Sequence, residues 1–203
     1  MKYYYTTEEV TLISMLASCI ASDNLKSTET ALKRAKKSNL DPDKIYEAIL
    51  QSHLFCGFPA AIESLKLFSN LFPEYTPRVY RHNISLLRIL GNHNCKLIYK
   101  NNFKKLISNI NELSPDLKEW MITDGYGKVM GRKGLNLLER EFINISVLCT
   151  RFYENQLHSH LKGCLNLGGN LSDIKSVLTS LTRTAGSSNI KKSLKLLNKI
   201  SKK

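Results

Sequence analysis

Gly131-Arg132-Lys133-Gly134-Leu135-Asn136-Leu137-Leu138-Glu139-Arg140-Glu141-Phe142-Ile143-Asn144-Ile145-Ser146-Val147-Leu148-Cys149-Thr150-Arg151-Phe152 is the stretch on which the reading of the fold turns. The two glycines mark a turn, and Leu137 to about Phe152 then reads as one long helix. A further helix is expected from Asn155 to Leu167, closed by Gly168-Gly169, since glycine takes a positive φ without a Cβ penalty. Leu171-Ser172-Asp173 opens another. Upstream, Ser114-Pro115-Asp116-Leu117 starts a helix that runs to about Asp124 and ends in a turn at Gly125-Tyr126-Gly127.

The same signals fill the first third of the chain. Val10, Ile13, Leu16, Ala17 and Ile20 keep the three-and-four spacing of one buried helix face. Asp41-Pro42-Asp43 offers an N-cap with proline at the first helical position. Gly57-Phe58-Pro59 interrupts that helix, which restarts over Ala60 to Leu71 and stops by Pro73 to Pro77. Arg78 to Ser114 is less patterned, with Gly91-Asn92-His93-Asn94 read as a turn. No segment shows the period-two alternation of a sheet, so the fold class is all-α and the architecture a helical bundle.

At 203 residues and 42% hydrophobic, the chain can bury a core in one large domain or two small ones. No run approaches the length needed to cross a bilayer, and Met1-Lys2-Tyr3-Tyr4-Tyr5 does not open a secretory leader, so a cytoplasmic, membrane-free protein is expected. Cys19, Cys56, Cys95, Cys149 and Cys164 lie far apart with no CxxC pair, which argues against a disulfide framework or a metal site. The net charge of +13 sits in scattered pairs such as Lys36-Lys37 and Lys104-Lys105 with no aromatic strip between them, so it reads as a solvated surface and disfavours nucleic acid as a partner.

The chain also carries an internal echo. A shift of 129 positions brings Ile45 onto Ile174, Gly57 onto Gly186 and Ser64-Leu65-Lys66-Leu67 onto Ser193-Leu194-Lys195-Leu196. A shift of 130 brings Glu9, Ile13 and Cys19 onto Glu139, Ile143 and Cys149. The expected organisation is a first repeat over residues 1–76, a connector over 77–114 and a second repeat over 115–203.

Gly131-Arg132-Lys133-Gly134-Leu135, then Glu139-Arg140-Glu141, then His160-Leu161-Lys162-Gly163-Cys164 leading to Gly168 give a Gly-Leu turn, an Arg-bearing apolar helix and a His eight residues before a Gly. In that order these elements resemble the carboxymuconolactone decarboxylase family, within the alkylhydroperoxidase D-like superfamily. Phe55-Cys56-Gly57-Phe58-Pro59 resembles the closing segment of the same repeat. The resemblance implies an all-α bundle of two tandem repeats and a homo-oligomer, a trimer first of all, with no cofactor.

It also implies where chemistry sits. In the peroxidase branch of the superfamily a Glu, a CxxC and a His make the site; here the Glu and His positions fall on Glu141 and His160, while the two Cys positions fall on Tyr153 and Gln156. Neither a phenol nor an amide forms a sulfenate, so a dithiol peroxidase is not expected. What remains resembles the decarboxylase branch, acting by acid-base chemistry on a small organic acid or lactone. His160 is then the acid or base and Glu141 its partner, Arg132 or Arg140 is a carboxylate clamp, and Tyr153 and Gln156 line the pocket. Two alternatives stand beside this reading: peroxidase chemistry through the single thiol of Cys164, which lies one turn beyond His160, and a non-catalytic oligomeric binding protein. In the first half the matching positions are Ala31, Asn24, Ser27 and Thr11 or Leu12, so that half is expected to be structural.

Overall fold

A computed structural model describes residues 3–81 and 83–202. The helices are α1 (Thr7–Ala21), α2 (Leu25–Lys37), α3 (Pro42–Leu71), α4 (Ile84–Tyr99), α5 (Phe103–Leu113), α6 (Pro115–Trp120), α7 (Leu137–Arg151), α8 (Glu154–Asn166), α9 (Leu171–Ser180) and α10 (Thr182–Ser201). A 3-10 turn, Lys100–Asn102, links α4 to α5, and a π-helical segment, Met121–Val129, continues α6. Among the described residues there is no strand, and no helix is long and apolar enough to cross a membrane.

α7 is the axis of the molecule. Every residue from Leu137 to Cys149 is buried, because the helix faces two cores at once. Phe142, Ile145 and Leu148 pack with α8, α9, α10 and α4, while Ile143 and Val147 pack with α1, α2 and α3. α1 lies alongside it. Both helices open with a capping box, Thr6 with Glu9 and Asn136 with Glu139, which satisfies the free N–H groups of their first turns. Lys44, at the start of α3, reaches Glu9 Oε1 at 3.0 Å and Glu139 Oε1 at 2.7 Å, so one ammonium ties the two helix starts together.

The helix boundaries recur along the chain. α1 and α7 are both 15 residues long and α2 and α8 both 13. The long α3 is broken at Gly57, with φ 80° and ψ 172°, and α10 at Gly186, with φ 80° and ψ 147°. These two glycines stand 129 positions apart, each in a conformation closed to a residue with a Cβ.

Two turns expected from the sequence are helical instead. Gly91-Asn92-His93-Asn94 lies inside α4 and Gly125-Tyr126-Gly127 inside the π-helical segment. The glycines serve close approach: a Cβ on Gly91 would sit 1.9 Å from the Ile122 carbonyl oxygen, and one on Gly127 2.3 Å from that of Leu87. The asparagines are satisfied within the helical frame, Asn92 donating to Arg88 O at 2.8 Å and Asn94 to Tyr126 O at 2.9 Å. The segment least patterned in sequence is therefore helical, and it forms one wall of the cavity described next.

Candidate active site

Glu139, Arg140 and Glu141 are consecutive charged residues on a fully buried helix, and a charge removed from water must find a partner. Successive helical residues point about 100° apart, so each of the three meets a different neighbour. Glu139 meets Lys44, Arg140 meets Glu47 on α3, and Glu141 meets His160 on α8.

The last pair is the candidate active site. His160 Nδ1 lies 2.9 Å from Glu141 Oε2. An ionised carboxylate only accepts, so Nδ1 carries the hydrogen and donates it, and the opposite nitrogen, Nε2, keeps its lone pair. Among the described residues Nε2 has no hydrogen-bond partner. Asn144, one turn beyond Glu141, donates from Nδ2 to Glu141 Oε1 at 3.0 Å, and its own Oδ1 accepts from Gln51 Nε2 at 2.7 Å. Gln51 is locked in turn by Arg140, whose Nη1 donates to Gln51 Oε1 at 3.0 Å. The ring of His160 is thus oriented by a carboxylate that is itself held from behind. α8 comes this close because residue 163 is glycine: a Cβ there would stand 2.6 Å from both Glu141 Oε2 and Ile98 Cγ2.

His160 opens onto a cavity of about 450 Å³. Phe55 of α3 and Tyr99 of α4 meet the imidazole edge-on, with ring centroids 6.5 and 6.2 Å away. The Tyr99 and Tyr126 hydroxyls are 2.8 Å apart. Burial, reinforced by the Glu141 charge, raises the Tyr99 phenol well above its ordinary value, and burial with the neighbouring Tyr99 does the same for Tyr126, so both remain neutral hydrogen-bonding groups. Burial and Glu141 likewise push the Cys95 thiol up to about 12.

His160, Glu141 and Gln156 come together here, with Gln156 lining the cavity beside His160. Tyr153 does not join them. It is the N-cap residue of α8, with φ −84° and ψ 87°, so the helical three-residue relation to Gln156 does not hold and its side chain is 52% exposed. The arginine clamps are also corrected. Arg132 Nε contacts both oxygens of Glu47, at 2.8 and 3.0 Å, and its guanidinium stacks on Tyr80 at 4.1 Å. Arg140 Nη2 donates to Glu47 Oε2 and to Arg132 O, each at 3.0 Å, and burial pulls its guanidinium below the ordinary value with Glu47 opposing. One buried carboxylate consumes both arginines, and neither lines the cavity.

Cys164 is corrected as well. It is wholly buried in the core and outside the cavity, and burial followed by the Glu141 charge raises its thiol far above the ordinary range, the opposite of a reactive thiolate. Among the described residues no three His, Cys, Asp or Glu side chains gather as a metal centre would require. The first half, expected to be structural, supplies Leu54 and Phe55 to the cavity and Glu47 and Gln51 to the network behind it. Asn144 was within reach of sequence reasoning, three residues after Glu141 on the same helix face; Tyr99 and Phe55 were not, because only the tertiary fold brings α4 and α3 to α8.

The arginine-bearing buried helix and the Glu-oriented His that opens on a small cavity both lie in the part of the chain that the sequence comparison matches. Residues 115–199 match the model of the carboxymuconolactone decarboxylase family. Over 80 residues the chain is 28% identical to the 4-carboxymuconolactone decarboxylase of Acinetobacter baylyi, a match covering 39% of this chain and 60% of that protein.

Proposed function

We propose that the protein is a carboxymuconolactone decarboxylase-like enzyme that moves protons at carbon in a small organic acid or lactone. The observation that carries this reading is the pairing of His160 Nδ1 with Glu141 Oε2 in a His that lines the cavity. With its lone pair free, Nε2 takes a proton from the bound molecule, and Glu141 stabilises the imidazolium that forms. The imidazolium then returns the proton to the developing product. Because the carboxylate fixes the tautomer before substrate arrives, no reorganisation is needed at the moment of transfer. The family match over residues 115–199 and the similarity to a 4-carboxymuconolactone decarboxylase support the choice of substrate class.

The test is turnover of a panel of unsaturated lactones, with and without a carboxylate on the ring, by the intact chain. His160→Ala is expected to lower kcat by about 10²- to 10⁴-fold, the range for loss of a general acid-base group. Equal rates in wild type and His160→Ala would remove the imidazole from the mechanism and leave the cavity as a binding site.

Two further elements belong to the same reading. The recurrence of helix lengths and of the breaks at Gly57 and Gly186 supports two copies of one repeat, the second retaining the His and Glu. A homo-oligomer, a trimer in the first instance, belongs to the same reading, and association as such is supported by the apolar side chains of Leu86, Ile89 and Leu113, which stay exposed on α4 and α5.

A further inference from the structure

The chain carries 30 Lys and Arg against 17 Asp and Glu, yet none of the residues lining the His160 cavity is a Lys or an Arg. Apolar and aromatic side chains, Phe55, Leu106, Ile110, Leu117, Met121 and Met130 among them, form most of its wall, and Asp124 is the one acidic side chain among the lining residues. The two arginines placed best in sequence to clamp a carboxylate are both spent on Glu47, deep behind the site. Lys105 and Lys162 line an adjoining cleft, which shares Tyr99, Leu106 and Ser159 with the cavity, and neither lysine lines the cavity itself. Glu141 adds a fixed negative charge beneath the imidazole. A carboxylate entering this cavity would lose its hydration and meet no lysine or arginine on the wall in return, with two carboxylates of the protein nearby.

We infer that the His160 cavity takes an uncharged, largely apolar ring compound of lactone size, and that it discriminates against the corresponding carboxylic acid. This deepens the proposed function: it rests on His160 being the acid-base group of the site, but the selectivity comes from the cavity wall. Neutral phenols at Tyr99 and Tyr126 and the Asn144 and Gln156 amides supply hydrogen bonds to a ring oxygen or carbonyl, and the aromatic and aliphatic wall supplies the contact area. The long-range field of a chain with net charge +13 draws anions toward the molecule, so any preference for the neutral ligand is a property of the cavity itself.

Trp120, the single tryptophan of the chain, lines this cavity and not the lysine cleft, so its fluorescence reports on the right site. The experiment titrates the intact protein with phthalide, an uncharged bicyclic lactone, and with 5-carboxyphthalide, its carboxylate counterpart, at neutral pH. Phthalide is expected to bind more than about tenfold more tightly, the discrimination that an unpaired charge in an apolar site imposes. Leu117→Arg, a change at a half-exposed wall residue that the fold tolerates, supplies the missing cation and is expected to close most of that gap. His160→Ala is expected to keep the preference for phthalide while losing turnover, so loss of activity without loss of preference separates this inference from the catalytic reading. Equal or tighter binding of 5-carboxyphthalide by wild type, or no response to phthalide up to its solubility, overturns the inference.

Discussion

At the scale of the residue, the site depends on distances that single atoms control. Gly163 leaves room for Glu141 to reach His160, and Gly163→Ala puts a methyl where the carboxylate stands. The expected result is a destabilisation of about 1–3 kcal/mol, typical of overpacking, together with a fall in kcat larger than in other core alanine substitutions; denaturant melts and steady-state kinetics on the same sample separate the two. Glu141→Gln is expected to fold but to lose the orientation that fixes the tautomer, with a flattened pH profile of kcat as the readout. His160 and Glu141 were legible in the sequence because a resemblance supplied their register. Arg132, Arg140 and Tyr153 were misplaced for a common reason: sequence spacing assigns a helix face, but it does not say which buried partner competes for a side chain. Glu47 outcompetes any ligand for both guanidiniums, and Tyr153 falls one residue outside its helix.

At the scale of the element, caps and breaks carry the argument. Lys44 joins the capping boxes of α1 and α7, and Lys44→Met leaves Glu139 buried without its cation, at a cost on the order of 3 kcal/mol. The pH dependence of that difference has a definite sign. Burial of Glu9 raises its carboxyl, but the Lys44 contacts outweigh this and hold it below the ordinary value, so its contribution is present at neutral pH and lost as pH falls through that lowered value. Burial lowers the Lys44 ammonium, but its two carboxylate partners more than offset this and raise it above 10.5, so its contribution holds below 10.5 and is lost as pH rises through the raised value. The gap between wild type and Lys44→Met in urea titrations is therefore expected to be widest near neutrality and to close in acid and in strong alkali. Gly57→Ala and Gly186→Ala, both at φ 80°, are expected to cost about 1–2 kcal/mol each and to match one another in thermal melts. The helix starts at Pro42, Leu137 and Leu171 were readable from caps and turns; α4 and the π-helical segment were not. Their glycines signal a turn in isolation and serve a helix crossing in the fold, a distinction that only the neighbouring backbone makes.

At the scale of the whole molecule, charge and apolar surface pull in different directions. Scattered lysines keep the surface solvated, while the exposed row on α4 and α5 favours association, and light scattering is expected to give a mass that is a multiple of 23.1 kDa. Leu86→Glu with Ile89→Glu is expected to shift that mass toward the single chain without loss of helical signal. The position of α7 decides how the chain comes apart. Its two flanks belong to different cores, and Gln51 and Glu47 of α3 accept hydrogen bonds from Nη1 and Nη2 of Arg140 from across that boundary. A fragment cut where the family resemblance begins, at residue 115, would keep the His and the Glu yet strand a guanidinium in the interior and bare one side of its central helix to water. The stretch that is recognisable to comparison and the stretch expected to stand by itself are thus different objects, since Glu47 and Gln51, which hold Arg140, lie outside the first.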